Sequence, residues 1–285
     1  MKRRGGVDHG AWTKDGGNIS MGRLLGYMAN RTDRLGDVLD EEREAIAPPA
    51  DFKPHAWGIG FYQGGEVLHK KRPKLDEGPI DWENVARGVR SDAVIVHFRH
   101  ATVGDFRADN THPFRLRQWL FAHNGTVHGF DAIRERLLEN MPDFLRRGIR
   151  GGTDSEHVFH ALLSFLHDAG QLDHPDVDDK VVVAALRSTV ALLDRLCAEV
   201  GAPAPTLNIV LTNGRHMYAL RRGRPLFYVE RTGLPGEGPT TKGAGAFRYV
   251  LVFSDGETAP AGYTTVENDS FLIVDRNLSV STQTL

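Results

Sequence analysis

Between Met21 and Asp275 the order of hydrophobic periodicities is the feature that most limits the fold: strand-length apolar runs, then two long helical stretches, then strand-length runs again. Gly22 to Met28 (GRLLGYM), Trp57 to Tyr62 (WGIGFY), Ala93 to Phe98 (AVIVHF) and Trp119 to Ala122 (WLFA) are rich in β-branched and aromatic residues and read as four strands sharing a sheet. Glu66 to His69 returns from Tyr62 across Gln63, Gly64 and Gly65 as a hairpin. Asp154 to Ala169 carries Val158, Leu162, Phe165 and Leu166 at helical spacing, with Thr153 or Asp154 as its cap, and Val181 to Val200 forms a second helix. After Pro203 and Pro205 the strand pattern resumes at Leu207 to Leu211, Met217 to Leu220, Leu226 to Val229, Tyr249 to Phe253 and Phe271 to Val274, which reads as a second sheet. Neither half closes a core alone, so the expectation is two helix-covered sheets stacked as layers of a single domain spanning 21 to 285.

Composition narrows the function classes. Apolar residues make up 40% and charged residues 25% of 285, which excludes a disordered or fibrous chain. The 35 Lys and Arg against 37 Asp and Glu leave no basic surplus for phosphate backbones, so no nucleic-acid partner is expected. No apolar run reaches the roughly 20 residues of a membrane span. Residues 1 to 20 carry five glycines and place Asp8, His9, Lys14 and Asp15 where an export signal needs an apolar segment. They read as a disordered or untranslated extension before Met21, and the expected location is cytoplasmic. Cys197 is the single cysteine; beside Leu192, Leu193 and Leu196 it reads as a buried structural thiol. The run Gly233 to Gly245 reads as a mobile loop without phosphate-loop spacing.

Polar chemistry concentrates between His97 and Gly125, in HFRHATVG, NTHPF and FAHNGT. Arg99 offers a planar fork suited to a carboxylate and Thr102 adds a hydroxyl donor. Asn124 and Gly125 can donate a side-chain amide and a backbone N–H to an oxyanion. Asp154, after Gly151 and Gly152, either caps its helix or receives a ligand ammonium. His97, His100, His112, His123 and His128 could together hold zinc, but none of their spacings matches a zinc motif; the alternative is an ordinary hydrogen-bonded His97 beneath the pocket, on the same strand face as Arg99. No cofactor and no metal is expected.

Taken in order, MGRLLGY, WGIGFY, HFRHATVG, NTHPF, FAHNGT and GGTDSE resemble the class II glutamine amidotransferase domain, an N-terminal nucleophile hydrolase, and most of all its stand-alone members of the YafJ and ergothioneine-pathway γ-glutamyl hydrolase type. The resemblance implies an α+β fold, a four-layer αββα sandwich. It implies Arg99 and Thr102 on a glutamine carboxylate, Asp154 on its amino group, Asn124 and Gly125 as the oxyanion hole, and His112 beside the pocket. It also implies a terminal cysteine whose thiolate attacks the side-chain amide while its own amine serves as base. Here Gly22 occupies that position, and Ala56 stands where an acidic residue is usual. Two readings stay open: an amidohydrolase whose Gly22 is a replacement, passing ammonia to a separate partner or to solvent, and a glutamine- or γ-glutamyl-binding pseudoenzyme that regulates a partner.

Overall fold

The computed structural model describes residues 22–47, 54–73, 82–99, 107–174, 176–235, 245–254 and 256–285. Residues 1 to 21, Thr102, His100 and most of the glycine-rich run after Gly233 lie outside the described residues. The described chain forms β1 (Arg23–Ala29), α1 (Leu35–Glu41), α2 (Arg43–Ile46), β2 (Ala56–Gln63), β3 (Glu66–Arg72), α3 (Trp82–Ala86) and β4 (Ala93–Arg99). A 3-10 turn at Ala108–Asn110 leads to β5 (Phe114–Leu116), β6 (Trp119–Thr126), α4 (Phe130–Glu139), α5 (Asp143–Arg146), α6 (Asp154–Asp168) and α7 (Asp179–Glu199). Last come β7 (Thr206–Thr212), β8 (Met217–Arg221), β9 (Phe227–Thr232), β10 (Arg248–Ser254), β11 (Thr264–Thr265), β12 (Ser270–Val274) and β13 (Val280–Thr284).

Two antiparallel sheets result, one ordered β11-β9-β10-β1-β4-β2-β3 and the other β13-β12-β8-β7-β6-β5. This corrects the sequence expectation about sheet membership. Trp119 to Ala122 belongs with β7 in the second sheet, through pairs such as Ala122 with Val210. Tyr249 to Phe253 and Leu226 to Val229 instead extend the first sheet, where Leu251 pairs with Tyr27 on one side and Val229 on the other. Strand periodicity reports which face is buried and carries no label for the partner strand.

Alternation along each strand builds the layers. Leu25 and Tyr27 of β1 and Val94, Val96 and Phe98 of β4 point outward against Leu35, Val38, Leu39, Ile46 and Val85. Their neighbours Leu24, Met28, Ala93 and Ile95 point inward and meet Leu120, Ala122, Val210 and Met217 of the other sheet. On its far face the second sheet presents Trp119, Phe121, Leu207 and Leu211 to Val158, Leu162, Val182, Leu186 and Leu193 of α6 and α7. Helix, sheet, sheet, helix is therefore the order of layers. Each such buried side chain contributes about 1.5–3 kcal/mol relative to exposure, so these apolar layers outweigh any single polar contact in holding the sheets together. Gly26 lets them approach: a Cβ there would fall 2.6 Å from Met217 Sδ.

Thr153 is the cap of α6, its side chain accepting from Glu156 N at 3.3 Å, which leaves the Asp154 carboxylate for other partners. Cys197 is fully buried among the α7 leucines and donates to the His128 carbonyl at 3.3 Å, as expected of a structural thiol; burial raises its pKa. Among the described residues no helix is long and apolar enough to cross a membrane.

Candidate functional site

A cavity of about 450 Å³ opens where the C-terminal ends of β4 and β6 meet the start of β1 and the N-terminus of α6. Gly22, His97, Arg99, His112, Asn124, Gly125 and Asp154 all line it, together with His123, Asn110, Thr153 and Ser155. Strand parity explains the convergence. On β4, Ala93 and Ile95 face the opposite sheet, so His97 and Arg99 continue that face beyond the apolar layer. On β6, Leu120 and Ala122 face the first sheet, and Asn124 follows them.

Asn124 reaches across the sheets: its Nδ2 donates to Gly22 O at 2.5 Å and to Ser254 Oγ at 2.9 Å. Both amide hydrogens are thus committed to protein acceptors, and one must be released before the side chain can serve an oxyanion. Gly125 is fixed by space, since a Cβ there would fall 2.0 Å from Thr206 O and 2.5 Å from His123 Nε2. Gly58, paired with His97, does the same for the neighbouring loop, because a Cβ at 58 would fall 2.1 Å from His112 O and displace it.

The Asp154 carboxylate accepts Val127 N at 2.9 Å through Oδ2 and Ser155 N at 2.8 Å through Oδ1, which fixes it against the cavity. The turn before it is held by Glu156, which accepts Arg150 N at 3.0 Å and Gly151 N at 2.6 Å, and by Asn110 Oδ1, which accepts Gly152 N at 3.0 Å. Arg99 feels desolvation, which lowers its pKa, and the opposing attraction of Asp154. Arg99 and Asp154 thus bring a cation and an anion to the cavity from separate elements, an arrangement that suits an α-amino acid zwitterion, and Asp131 at the start of α4 adds a second carboxylate to the lining.

The histidines differ from expectation. His97 is buried, and neither ring nitrogen has a hydrogen-bond partner among the described residues, so the reading of a hydrogen-bonded His97 is not what the fold provides. Burial, with the charges of His123 and Arg99 adding to it, pushes its pKa down to about 3. His112 is driven well below the usual imidazole range by burial and its charged neighbours. His123 is lowered by burial too, and bonds Ser155 Oγ at 2.9 Å and Thr206 O at 3.1 Å. His128 does not line the cavity. Among the described residues no group of three or more His, Cys, Asp or Glu is placed to hold a metal ion.

Ser254 and Thr206 support the site without any sequence signal, coming from distant elements. Asn110, Ser155 and Glu156 had one: they stand inside NTHPF and GGTDSE, beside the residues singled out.

Comparison with known proteins bears on the whole arrangement. The E. coli protein named "Putative glutamine amidotransferase YafJ" is 28% identical over 206 residues, covering 70% of this chain and 72% of that one. The gamma-glutamyl-hercynylcysteine sulfoxide hydrolase of Mycobacterium tuberculosis is 36% identical over 116 residues, 38% of this chain and 50% of that one. Matches of this kind span between 34% and 72% of the curated relatives' own lengths. The structure of a glutamine aminotransferase class-II domain protein from Silicibacter pomeroyi superposes with a TM-score of 0.60 at 21% identity, covering 92% of this chain and 98% of that one, which supports the fold. The family model for class II glutamine amidotransferases matches residues 41–235, which include Arg99, Asn124 and Asp154 and leave Gly22 outside. By that match, well over half its length, the chain belongs to the class II glutamine amidotransferases.

Proposed function

We propose that the cavity binds glutamine or a γ-glutamyl compound and, with glycine at position 22, does not turn it over. Arg99 takes the α-carboxylate, assisted by Thr102, and Asp154 takes the α-ammonium, so that the side-chain amide points inward toward Gly22, Asn124 and Gly125. The names of the relatives, a glutamine amidotransferase and a γ-glutamyl hydrolase, support this ligand class.

The observation that carries the no-turnover half is the space around position 22. A Cβ built there would fall 2.7 Å from the Phe98 carbonyl oxygen and 3.2 Å from the His97 ring, closer than a side chain is accommodated without a backbone shift. The site is shaped around glycine. Glycine supplies no atom for a thioester, and a bound water would be a far weaker nucleophile. The output on this reading is the occupied pocket, sensed by a separate protein, in place of released ammonia.

Calorimetric titration of L-glutamine into the full chain, run beside an assay for glutamate release, tests both halves. Binding without release is the expected result. Release by the unaltered chain overturns the no-turnover half, and absence of binding overturns the ligand. A Gly22→Cys variant beginning at Met21 adds a third arm, in which no release is expected because its Cβ would press on the Phe98 carbonyl; glutamate release by that variant overturns the claim that the site is shaped around glycine.

A further inference from the structure

Buried imidazoles elsewhere in this chain find partners: His157 Nδ1 meets Thr153 O at 2.8 Å and His160 Nδ1 meets Leu145 O at 2.8 Å. His97 and His112 do not. They are 2% and 5% exposed, their rings lie 4.2 Å apart with a 42° tilt, and none of their four ring nitrogens has a hydrogen-bond partner among the described residues. Both line the cavity. Buried polar atoms without partners lower stability, and the fold keeps two such rings side by side in the wall of the cavity.

The chemistry of the pair selects the ligand group. A neutral imidazole carries one N–H donor and one bare nitrogen acceptor, so the two rings together offer two of each. A carboxamide presents N–H donors and a carbonyl acceptor and can satisfy both kinds. A carboxylate has no donor and brings a charge into a wall whose rings are held neutral by burial. An ammonium has no acceptor and brings the opposite charge.

Position 22 controls access. The Cβ of any side chain there would fall 3.2 Å from both Cε1 and Nε2 of His97, covering the ring edge on the cavity side. Glycine places no side-chain atom there.

We propose that His97 and His112 form the amide-recognising wall of this cavity, taking the neutral carboxamide or secondary amide of a γ-glutamyl ligand, and that the absence of a side chain at position 22 leaves room for that group against His97. The assignment rests on the γ-glutamyl reading of the cavity and adds to it the residues that tell an amide from an acid. His97 and His112 act here as specificity-determining contacts.

The test uses the full chain with ¹⁵N-labelled histidine, L-glutamine and L-glutamate as probes, and the variants His97→Leu, His112→Leu, His97→Gln and Gly22→Ala. Glutamine is expected to move the ring ¹⁵N resonances of His97 and His112, with glutamate at the same concentration leaving them in place. Each Leu variant should bind glutamine about tenfold more weakly or worse while melting no lower than the parent without ligand, because it removes unpaired buried polar atoms. His97→Gln should recover part of the affinity, and Gly22→Ala should lose it. Glutamine binding with unmoved His97 and His112 resonances, or with both Leu variants at parental affinity, overturns the proposal and leaves the γ-glutamyl reading intact. Leu variants that lose melting temperature along with affinity also overturn it, since that is the behaviour of structural residues. Failure of the parent to bind glutamine or γ-glutamyl methylamide removes the γ-glutamyl reading and this assignment together.

Discussion

Two buried polar sites on the first sheet are built on opposite principles. At one, the Glu42 carboxylate, 7% exposed at the end of α1, accepts the hydroxyls of Tyr249 and Tyr263 at 2.6 Å each and Arg231 Nε at 3.3 Å. Burial, then the carboxylate itself, raises both tyrosine pKa values, so the phenols stay protonated and donate. At the other, His97 and His112 present four ring nitrogens without partners among the described residues. The first site is closed on itself and belongs to the fold. The second leaves its hydrogen-bonding capacity unmet in the wall of a cavity, as the proposed amide contact requires.

The same substitution at the two sites should therefore have opposite signs. Glu42→Leu strips three donors of their acceptor and leaves Arg231 without its anion, so a loss of about 3–5 kcal/mol is expected in chemical denaturation. Glutamine affinity should not change, because Glu42 does not line the cavity. A loss below about 1 kcal/mol, the scale of one ordinary hydrogen bond, would erase the distinction between the sites. Gly125→Ala comes next. Its Cβ would press on backbone at Thr206, which cannot swing aside as a side chain can, and about 2–3 kcal/mol of destabilisation is expected together with loss of glutamine binding.

Much of this was legible beforehand, and the part that was not has a physical reason. Helices α6 and α7 follow from their periodicity and lie within two residues of the expected bounds. Layer order followed too, since alternation along β1 and β4 fixes which residues face helices. Which sheet Trp119 to Ala122 or Tyr249 to Phe253 joins was not readable, because long-range pairing leaves no mark on local pattern. The motifs located Arg99, Asn124 and Asp154, all of which line the cavity, but gave no hint that Asn124 would spend both hydrogens on Gly22 and Ser254. The Glu42 site went unnoticed for the same reason: its partners lie 189 to 221 residues away in sequence. That His97 lacks a partner could not be read from any motif, since an absent contact is a property of the assembled surroundings.

Acid sharpens the comparison further. In the unfolded chain each histidine titrates near 6.5, whereas burial holds His97 at about 3 and lowers His112 and His123 as well. Above about pH 7 neither state binds the proton and these groups contribute nothing to the pH dependence. As pH falls below 6.5 the unfolded state takes up protons that the folded state refuses, so stability declines until the folded pKa is reached. Each fully depressed histidine steepens that decline by up to about 1.4 kcal/mol per pH unit, or about 2 kcal/mol between pH 6.5 and 5. Denaturation midpoints of the parent and His97→Leu across that window should diverge by this amount, with the variant less sensitive. Parallel curves would mean that His97 accepts a proton in the folded protein.

At pH 7.5 the titration term vanishes and only the hydrogen-bonding deficit remains, which makes this the smallest effect and the cleanest one. Replacing His97 by leucine keeps a side chain of similar bulk among Phe98, Gly58 and His112 while removing two unpartnered polar atoms. Such an exchange is expected to raise stability by about 1 kcal/mol, where the same exchange at Glu42 lowers it severalfold more. Saturating glutamine should reverse the sign at His97, because ligand stabilises only the form that binds it, by about 2.7 kcal/mol at a hundredfold excess over Kd. The parent would then overtake the variant. A variant that stays ahead with ligand present would show that the ring nitrogens gain nothing from the ligand, and the cavity wall would belong, like Glu42, to the fold alone.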